Sequence, residues 1–143
     1  MRPSATKETK VAENQNGNLN NLILMSFKPI FAYQVVRRVK KLELRKKVFN
    51  IKRGSRVLVY ASKPIKAIVG EFKVGRVIEG KVRDIWEYAK RVPDSGVDER
   101  DLPYIEGGRR VLAIEVLNPI EYRKIITIND IRTVIPKWRL FVG

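Results

Sequence analysis

Seven Lys and Arg side chains and a single carboxylate fall within eleven residues, RRVKKLELRKK, positions 37 to 47. Lys40 and Glu43 supply a proton donor and a proton acceptor, the minimum for acid–base work on a hydrolysable bond. Arg45 adds a planar guanidinium suited to a phosphate or carboxylate. In a binding role, the carboxylate would orient the cations or accept a hydrogen bond from a base amino group or a ribose hydroxyl. The competing reading is a solvated strand face on which Glu43 only relieves like-charge repulsion. Residue types alone leave both open.

Other chemistry is narrowed by what is missing. The chain has no Cys and no His, which removes thiol nucleophiles, disulfides, the usual zinc ligands and the commonest general base. It also fits a reducing cytoplasm or a hot habitat. IVGEFKVG lacks the G-K-[ST] of a phosphate loop, so its glycines read as bends in a strand. Asp98, Glu99 and Asp101 read as a solvated loop rather than a site for a hard cation. No metal site and no cofactor are expected.

The formal charge of +15 is unevenly placed. Residues 21–66 carry thirteen Lys and Arg against Glu43 alone, whereas residues 67–143 carry fourteen against twelve acids. Segregation of this kind points to a polyanion partner. The longest apolar runs, LILM and AIVG, fall far short of the ~20 residues a membrane helix needs, and no signal-peptide core is visible at the N-terminus. The expectation is a cytoplasmic protein without a membrane partner, taken as a monomer.

The elements that must position these side chains follow from spacing. Residues 1–20 are polar and read as a disordered leader, leaving one domain over 21–143. LILMSF (22–27) reads as a buried strand. Pro29 opens a helix to about Val39 that buries Ala32, Val35, Val36 and Val39. LELR alternates with period two, so Leu42 and Leu44 face one way and Lys41, Glu43 and Arg45 the other. A turn at Arg53-Gly54-Ser55 precedes a strand from Arg56 to Ala61, which Pro64 closes. A longer strand, Ala67 to about Ile78, carries bends at Gly70 and Gly75. Lys81 to Arg91 reads as a helix with Val82, Ile85, Trp86 and Ala89 buried. The loop 92–108 holds at most a helical turn. VLAIEVL (111–117) is a strand ended by Asn118-Pro119; YRKII and WRLFV are candidates for further strands. Of the aromatic residues that could stack on bases, Tyr60, Tyr104, Trp86 and Trp138, Trp138 beside Lys137 and Arg139 is the best placed. Closing the barrel is its other reading.

The order SFKP, helix, Lys40-x-x-Glu43-x-Arg45, VLVYASKPIKAIVGEFKVG and IWEYAK…SGV…YIEGGRRVLAIEV resembles the ASCH domain family, PUA-like relatives of RNA-binding domains, from about Leu22 to Asn118. A small protein of the archaeal type is the nearest description. The family pattern has Gly two residues before the motif Lys, where this chain has Arg38, so an extra helical turn is expected there.

The resemblance implies an α+β fold, a mixed β-barrel of five or six strands with two or three inserted helices. It implies a charged cleft lined by Lys28, Lys40, Glu43 and Arg45, with Ser62 and Lys63 at its rim. One branch of the family deacetylates acetylated cytidine with a Lys, a Thr and a distant Glu. Here Glu43 stands at the Thr position, and no equivalent of the distant Glu is found near Asp94 to Asp98.

The reading adopted is a nucleic-acid-binding module, RNA before other nucleic acids, with turnover left open. Lys28, Lys40, Lys41, Glu43, Arg45, Lys46, Lys47, Ser62, Lys63, Trp138 and Arg139 are its candidate contacts. The first alternative is a small hydrolase acting on a modified nucleoside or RNA. Lys40 and Glu43 would be its acid–base pair, in a strongly basic neighbourhood that tunes the lysine. A DNA-binding regulator ranks last.

Overall fold

A computed structural model describes residues 22–48 and 50–134. The polar leader, the Trp138–Arg139 pair and the WRLFV segment lie outside the described residues. Five strands, β1 (Leu22–Phe27), β2 (Leu42–Lys46), β3 (Arg56–Ala61), β4 (Ala67–Gly80) and β5 (Val111–Thr127), form one mixed sheet in the order β1-β3-β4-β5-β2. The β1–β3 pair is parallel and the other pairs are antiparallel. Between them lie α1 (Pro29–Val36), α2 (Val82–Arg91), a 3-10 helix (Glu99–Tyr104) and, after β5, α3 (Ile128–Val134). The two outer strands are linked where Arg45 of β2 donates from Nη2 to the carbonyl of Ser26 on β1, 2.6 Å away. That link curls the sheet into a partly open barrel with its seam between β1 and β2.

Parallel strands need a long connection, and here it contains α1 and β2, the two elements that carry the charged motif. β1 is buried on both faces. Ile23, Met25 and Phe27 join the main core with Val57, Val59, Val69, Phe72, Ile114 and α1, while Leu24 packs outward with Tyr60 and Ile68. The second face of β2 is covered too, since Leu42 and Leu44 pack against Ile85 and Ala89 of α2 and against Ile105. Tyr60, only 3% exposed, is core rather than a stacking surface.

α1 starts as expected at Pro29 but stops at Val36, three residues early. The Arg38 N–H donates to the Val35 carbonyl and the Val39 N–H to the Gln34 carbonyl, the reciprocal pair of a Schellman ending. Arg38 itself takes the left-handed conformation, φ 68°. The extra helical turn expected there is therefore corrected. Arg38 holds the conformation a glycine would, at a steric cost, and the sharp turn leaves Val39 56% exposed instead of buried.

The bends at Gly70 and Gly75 are present as register shifts between β4 and β5. The expected break at Asn118-Pro119 is corrected: β5 runs straight through it as a bulge, with Asn118 at φ 50° and the pairing stepping from Lys73↔Leu117 to Glu71↔Ile120. A bulge tolerates proline because the displaced residue owes the ladder no hydrogen bond. Trp86, expected to be buried, is half-buried at the margin of the α2 contact.

Candidate nucleic-acid interface

The turn after α1 brings Val39–Lys41 against the loop that follows α2. The Ser95 carbonyl accepts from the N–H groups of Lys41 (2.7 Å) and Leu42 (3.3 Å). Gly96, at φ +81°, lies so close that a Cβ there would meet Lys40 Cα at 2.7 Å as well as the Val39 carbonyl. Only glycine combines that conformation with that approach. The clasp leaves the Lys40 side chain 2% exposed.

The buried ammonium of Lys40 is surrounded by acid rather than base. It forms a close ion pair with Asp101 Oδ1, lies 3.4 Å from Glu43 Oε1, and sits 4.5 Å from the Phe31 ring centre. Glu43, 4% exposed at its side chain, accepts from Arg45 Nε at 2.6 Å through Oε2. The Arg45 guanidinium then lies 4.5 Å from the Phe27 ring centre and 6.0 Å from that of Tyr104. Asp101 is fixed by a capping box: its Oδ2 accepts the Asp98 N–H at 2.9 Å, and Asp98 Oδ1 accepts the Arg100 N–H at 2.9 Å. Four charges thus alternate along the barrel seam, Asp101, Lys40, Glu43 and Arg45. They cancel one another, which is the condition for burying them.

This geometry decides one open alternative and corrects two expectations. Of the two readings of the strand, the solvated face is excluded, because the seam of the barrel encloses Glu43 and most of Arg45. Lys40 is not in a strongly basic neighbourhood. The acidic loop is not wholly solvated: Asp101 is 2% exposed and ion-paired to Lys40. Its signal was present. Asp98 and Asp101, three apart before Leu102, have the spacing of a capping box, which turns the second acid back towards the helix start. Among the described residues, no three His, Cys, Asp or Glu gather as metal ligands would.

Above the cluster sits a collar of cations and aromatic rings. Tyr104 packs edge-on against Phe31, centroids 5.5 Å apart at 86°. Exposed Lys28 lies 5.8 Å from the Tyr104 ring centre, and exposed Arg100 lies 5.9 Å from that of Phe31. The Tyr104 hydroxyl is buried without a hydrogen-bond partner among the described residues. Burial raises its pKa against the opposing pull of Arg45, so the phenol keeps its proton at neutral pH. Tyr104 was among the aromatic candidates of the sequence; Phe31 and Arg100 were not, because the two segments that bring them beside it lie about seventy residues apart and only the fold joins them.

The remaining candidates are distributed more widely. Ser62 donates its N–H to the Phe27 carbonyl at 2.9 Å, which sets it and exposed Lys63 beside the end of β1 that carries Lys28. Lys41 is exposed on the outside of the turn. Lys46 and Lys47 stand at the far end of β2, where Lys47 Nζ pairs with Glu79 at 3.0 Å and Arg110 shares the same carboxylate. They are not gathered with the cluster. Among the described residues, no helix is long and apolar enough to cross a membrane.

No protein-family model matches the chain. An ASCH domain-containing ribonuclease of Zymomonas mobilis subsp. mobilis is 28% identical over 91 residues, 63% of this chain and 60% of the relative. The crystal structure of ASCH from Zymomonas mobilis superposes with a TM-score of 0.73 at 21% identity, covering 83% of this chain and 82% of that one. The N-terminal domain of Staphylothermus marinus McrB is more distant, with a TM-score of 0.51 at 12% identity over 80% of each chain. The chain thus shares its five-stranded fold with ASCH from Zymomonas mobilis and is similar in sequence to an ASCH domain-containing ribonuclease, of which it spans about 60% of the length.

Proposed function

We propose that the chain binds single-stranded RNA. Surface cations hold the phosphates, and the collar of Lys28, Arg45 and Arg100 around Phe31 and Tyr104 receives one unstacked nucleotide. The observation that carries this reading is the collar itself, since cations beside aromatic rings are what a splayed nucleotide requires. The charge distribution supports it, with thirteen basic residues against one acid over positions 21–66. So does the likeness to a relative named as a ribonuclease.

The experiment is a titration of a fluorescent single-stranded RNA at several salt concentrations. Contact with about five phosphates predicts a slope of log K against log salt of about −3.5. A flat response would remove the polyanion reading.

A second reading is RNA cleavage, favoured by the name of that relative and by the Lys40–Glu43 pair. Glu43 would take the proton of a ribose 2′-hydroxyl, the 2′ oxygen would attack phosphorus, and Lys40 would protonate the departing 5′ oxygen. Burial counts against it. With the Lys40 and Glu43 side chains only 2% and 4% exposed, neither atom can come within the ~3 Å that proton transfer needs unless the 3-10 helix moves. Incubation with end-labelled RNA separates the two readings. Intact RNA supports binding alone; fragments that disappear in Glu43→Gln support cleavage.

A further inference from the structure

Among the described residues, just two buried side-chain atoms lack a hydrogen-bond partner, Glu43 Oε1 and the Tyr104 hydroxyl. Both belong to the same seam. Arg45 lies beside both residues, bonded to the other carboxylate oxygen of Glu43, Oε2, at 2.6 Å and 6.0 Å from the Tyr104 ring centre. Lys40 Nζ stands at an ion-pair distance of 3.4 Å from Glu43 Oε1 while pairing closely with Asp101, so that oxygen has charge compensation without a hydrogen bond. Buried polar atoms are normally paired, and leaving one unpaired costs about 1–3 kcal/mol. Two orphans in one place, one a donor and the other an acceptor, are complementary to a single missing group that both accepts and donates.

We propose that Tyr104 and Glu43 form a hydroxyl-reading pair that closes on one ribose 2′-hydroxyl of the bound strand. The phenol donates to the hydroxyl oxygen, and Glu43 Oε1 accepts the hydroxyl proton. This rests on the RNA-binding reading and deepens it, because it makes the site select RNA over DNA. The pair sits on opposite walls of the seam. Glu43 belongs to rigid β2, and Tyr104 ends the 3-10 helix that Asp101 latches to Lys40. Both atoms are closed to solvent, so admitting the sugar requires the 3-10 helix to lift from the seam.

A deoxyribose lacks the group and leaves both orphans unpaired, whereas a 2′-fluoro sugar offers no proton to Glu43. The persistent proton on Tyr104, raised in pKa by burial, suits a donor. Tyr104→Phe keeps the ring that packs edge-on with Phe31 and removes only the hydroxyl.

The test compares dissociation constants for one oligonucleotide sequence made as ribo, 2′-deoxy and 2′-fluoro strands, on the full chain and on Tyr104→Phe, Glu43→Gln and the double variant. A pair of hydrogen bonds, one of them to a carboxylate, predicts that the ribo strand binds about tenfold or more tighter than the deoxy strand. Each single variant should bring that ratio to within about threefold, and the double variant should lower it little further, because half a pair is as blind as none. Thermal melting of Tyr104→Phe checks that the fold is kept. Equal binding of ribo and deoxy strands by the unaltered chain overturns the inference while leaving nucleic-acid binding in place. A ribo preference that survives Tyr104→Phe overturns it as well. Failure to bind any of the strands overturns the RNA-binding reading, and the inference with it.

Discussion

Asp101→Asn removes one charge from the buried chain of four and little else. Its carbonyl oxygen can still accept from Asp98 N–H, so the start of the 3-10 helix is kept. What changes is the environment of Lys40, an ammonium 2% exposed that is left with Glu43 at 3.4 Å and no hydrogen bond to it. Removing one partner of a buried ion pair costs about 3–5 kcal/mol, mostly as the penalty of the abandoned charge. Glu43 softens that here, so about 3 kcal/mol is expected for Asp101→Asn. Lys40→Met strands two carboxylates instead of one cation, although Arg45 still holds Glu43 at 2.6 Å. Its cost should fall in the upper part of the same range, about 4–5 kcal/mol.

The informative variant is Lys40→Met with Asp101→Asn. It leaves Glu43 and Arg45 as an intact neutral pair beside an uncharged, similarly sized neighbour. The double variant should cost less than the two single changes together, with a coupling of about 2–3 kcal/mol. Urea unfolding followed by far-UV circular dichroism measures all four proteins. With a slope of about 2 kcal/mol per molar, Asp101→Asn should lower the midpoint by about 1.5 M at unchanged slope. Additivity within about 0.5 kcal/mol would refute the claim that these charges form one unit. A cost below about 1 kcal/mol for Asp101→Asn would show that water reaches the ammonium.

Three further outcomes follow from single positions. Gly70→Ala should destabilise by about 3 kcal/mol in the same unfolding assay, the upper end of the overpacking range. Its new Cβ would meet Val36 Cγ1 at 2.5 Å and the Ile120 carbonyl, and a backbone oxygen cannot swing away. Arg38→Gly should raise stability by about 0.5–1 kcal/mol. The relief of the left-handed conformation at φ 68° exceeds the extra freedom glycine has when unfolded. At high pH, Tyr122 supplies a signed effect: burial, with the Glu71 hydrogen bond second, pushes its pKa up to about 12 from an ordinary 10.0. A folded pKa above the unfolded one means stability is fully present below pH ~10 and is lost as pH rises towards ~12. Tyrosinate absorbance at alkaline pH should include a step near pH 12, and Tyr122→Phe should remove that step.

Local periodicity predicted most of the architecture, and its failures share a cause. β1, β3, the bends of β4 and the whole of α2 follow from spacing of apolar residues and from proline and glycine, signals that act over a few residues. Arg38 and Asn118 were misread because each adopts a positive φ, one in a Schellman ending and the other in a bulge, that the spacing of apolar residues does not report. The site was half legible. Lys40, Glu43 and Arg45 stand close together in sequence and announce themselves; Asp101 and Tyr104 lie about sixty residues away on a loop of ordinary composition. What made them part of the site is the clasp of Ser95 and Gly96 on the turn at Lys40, a contact that neither segment encodes alone.

The same geometry explains why a basic run contains one acid. Lys40 is enclosed by the barrel, and a lone buried ammonium would be untenable. Glu43 and Asp101 neutralise it, and Arg45 neutralises what they leave over, so the buried cluster contributes nothing to the net charge of +15. In the proposed RNA-binding role, the long-range attraction for phosphate therefore comes from the surface, from side chains such as Lys28, Lys41, Lys63 and Arg100 that are exposed to screening salt. The seam, closed to solvent, is shielded from that screening. Affinity and selectivity are thus assigned to different charges: raising the salt should weaken binding of ribo and deoxy strands alike, while the ratio between them, set at Glu43 and Tyr104, stays constant.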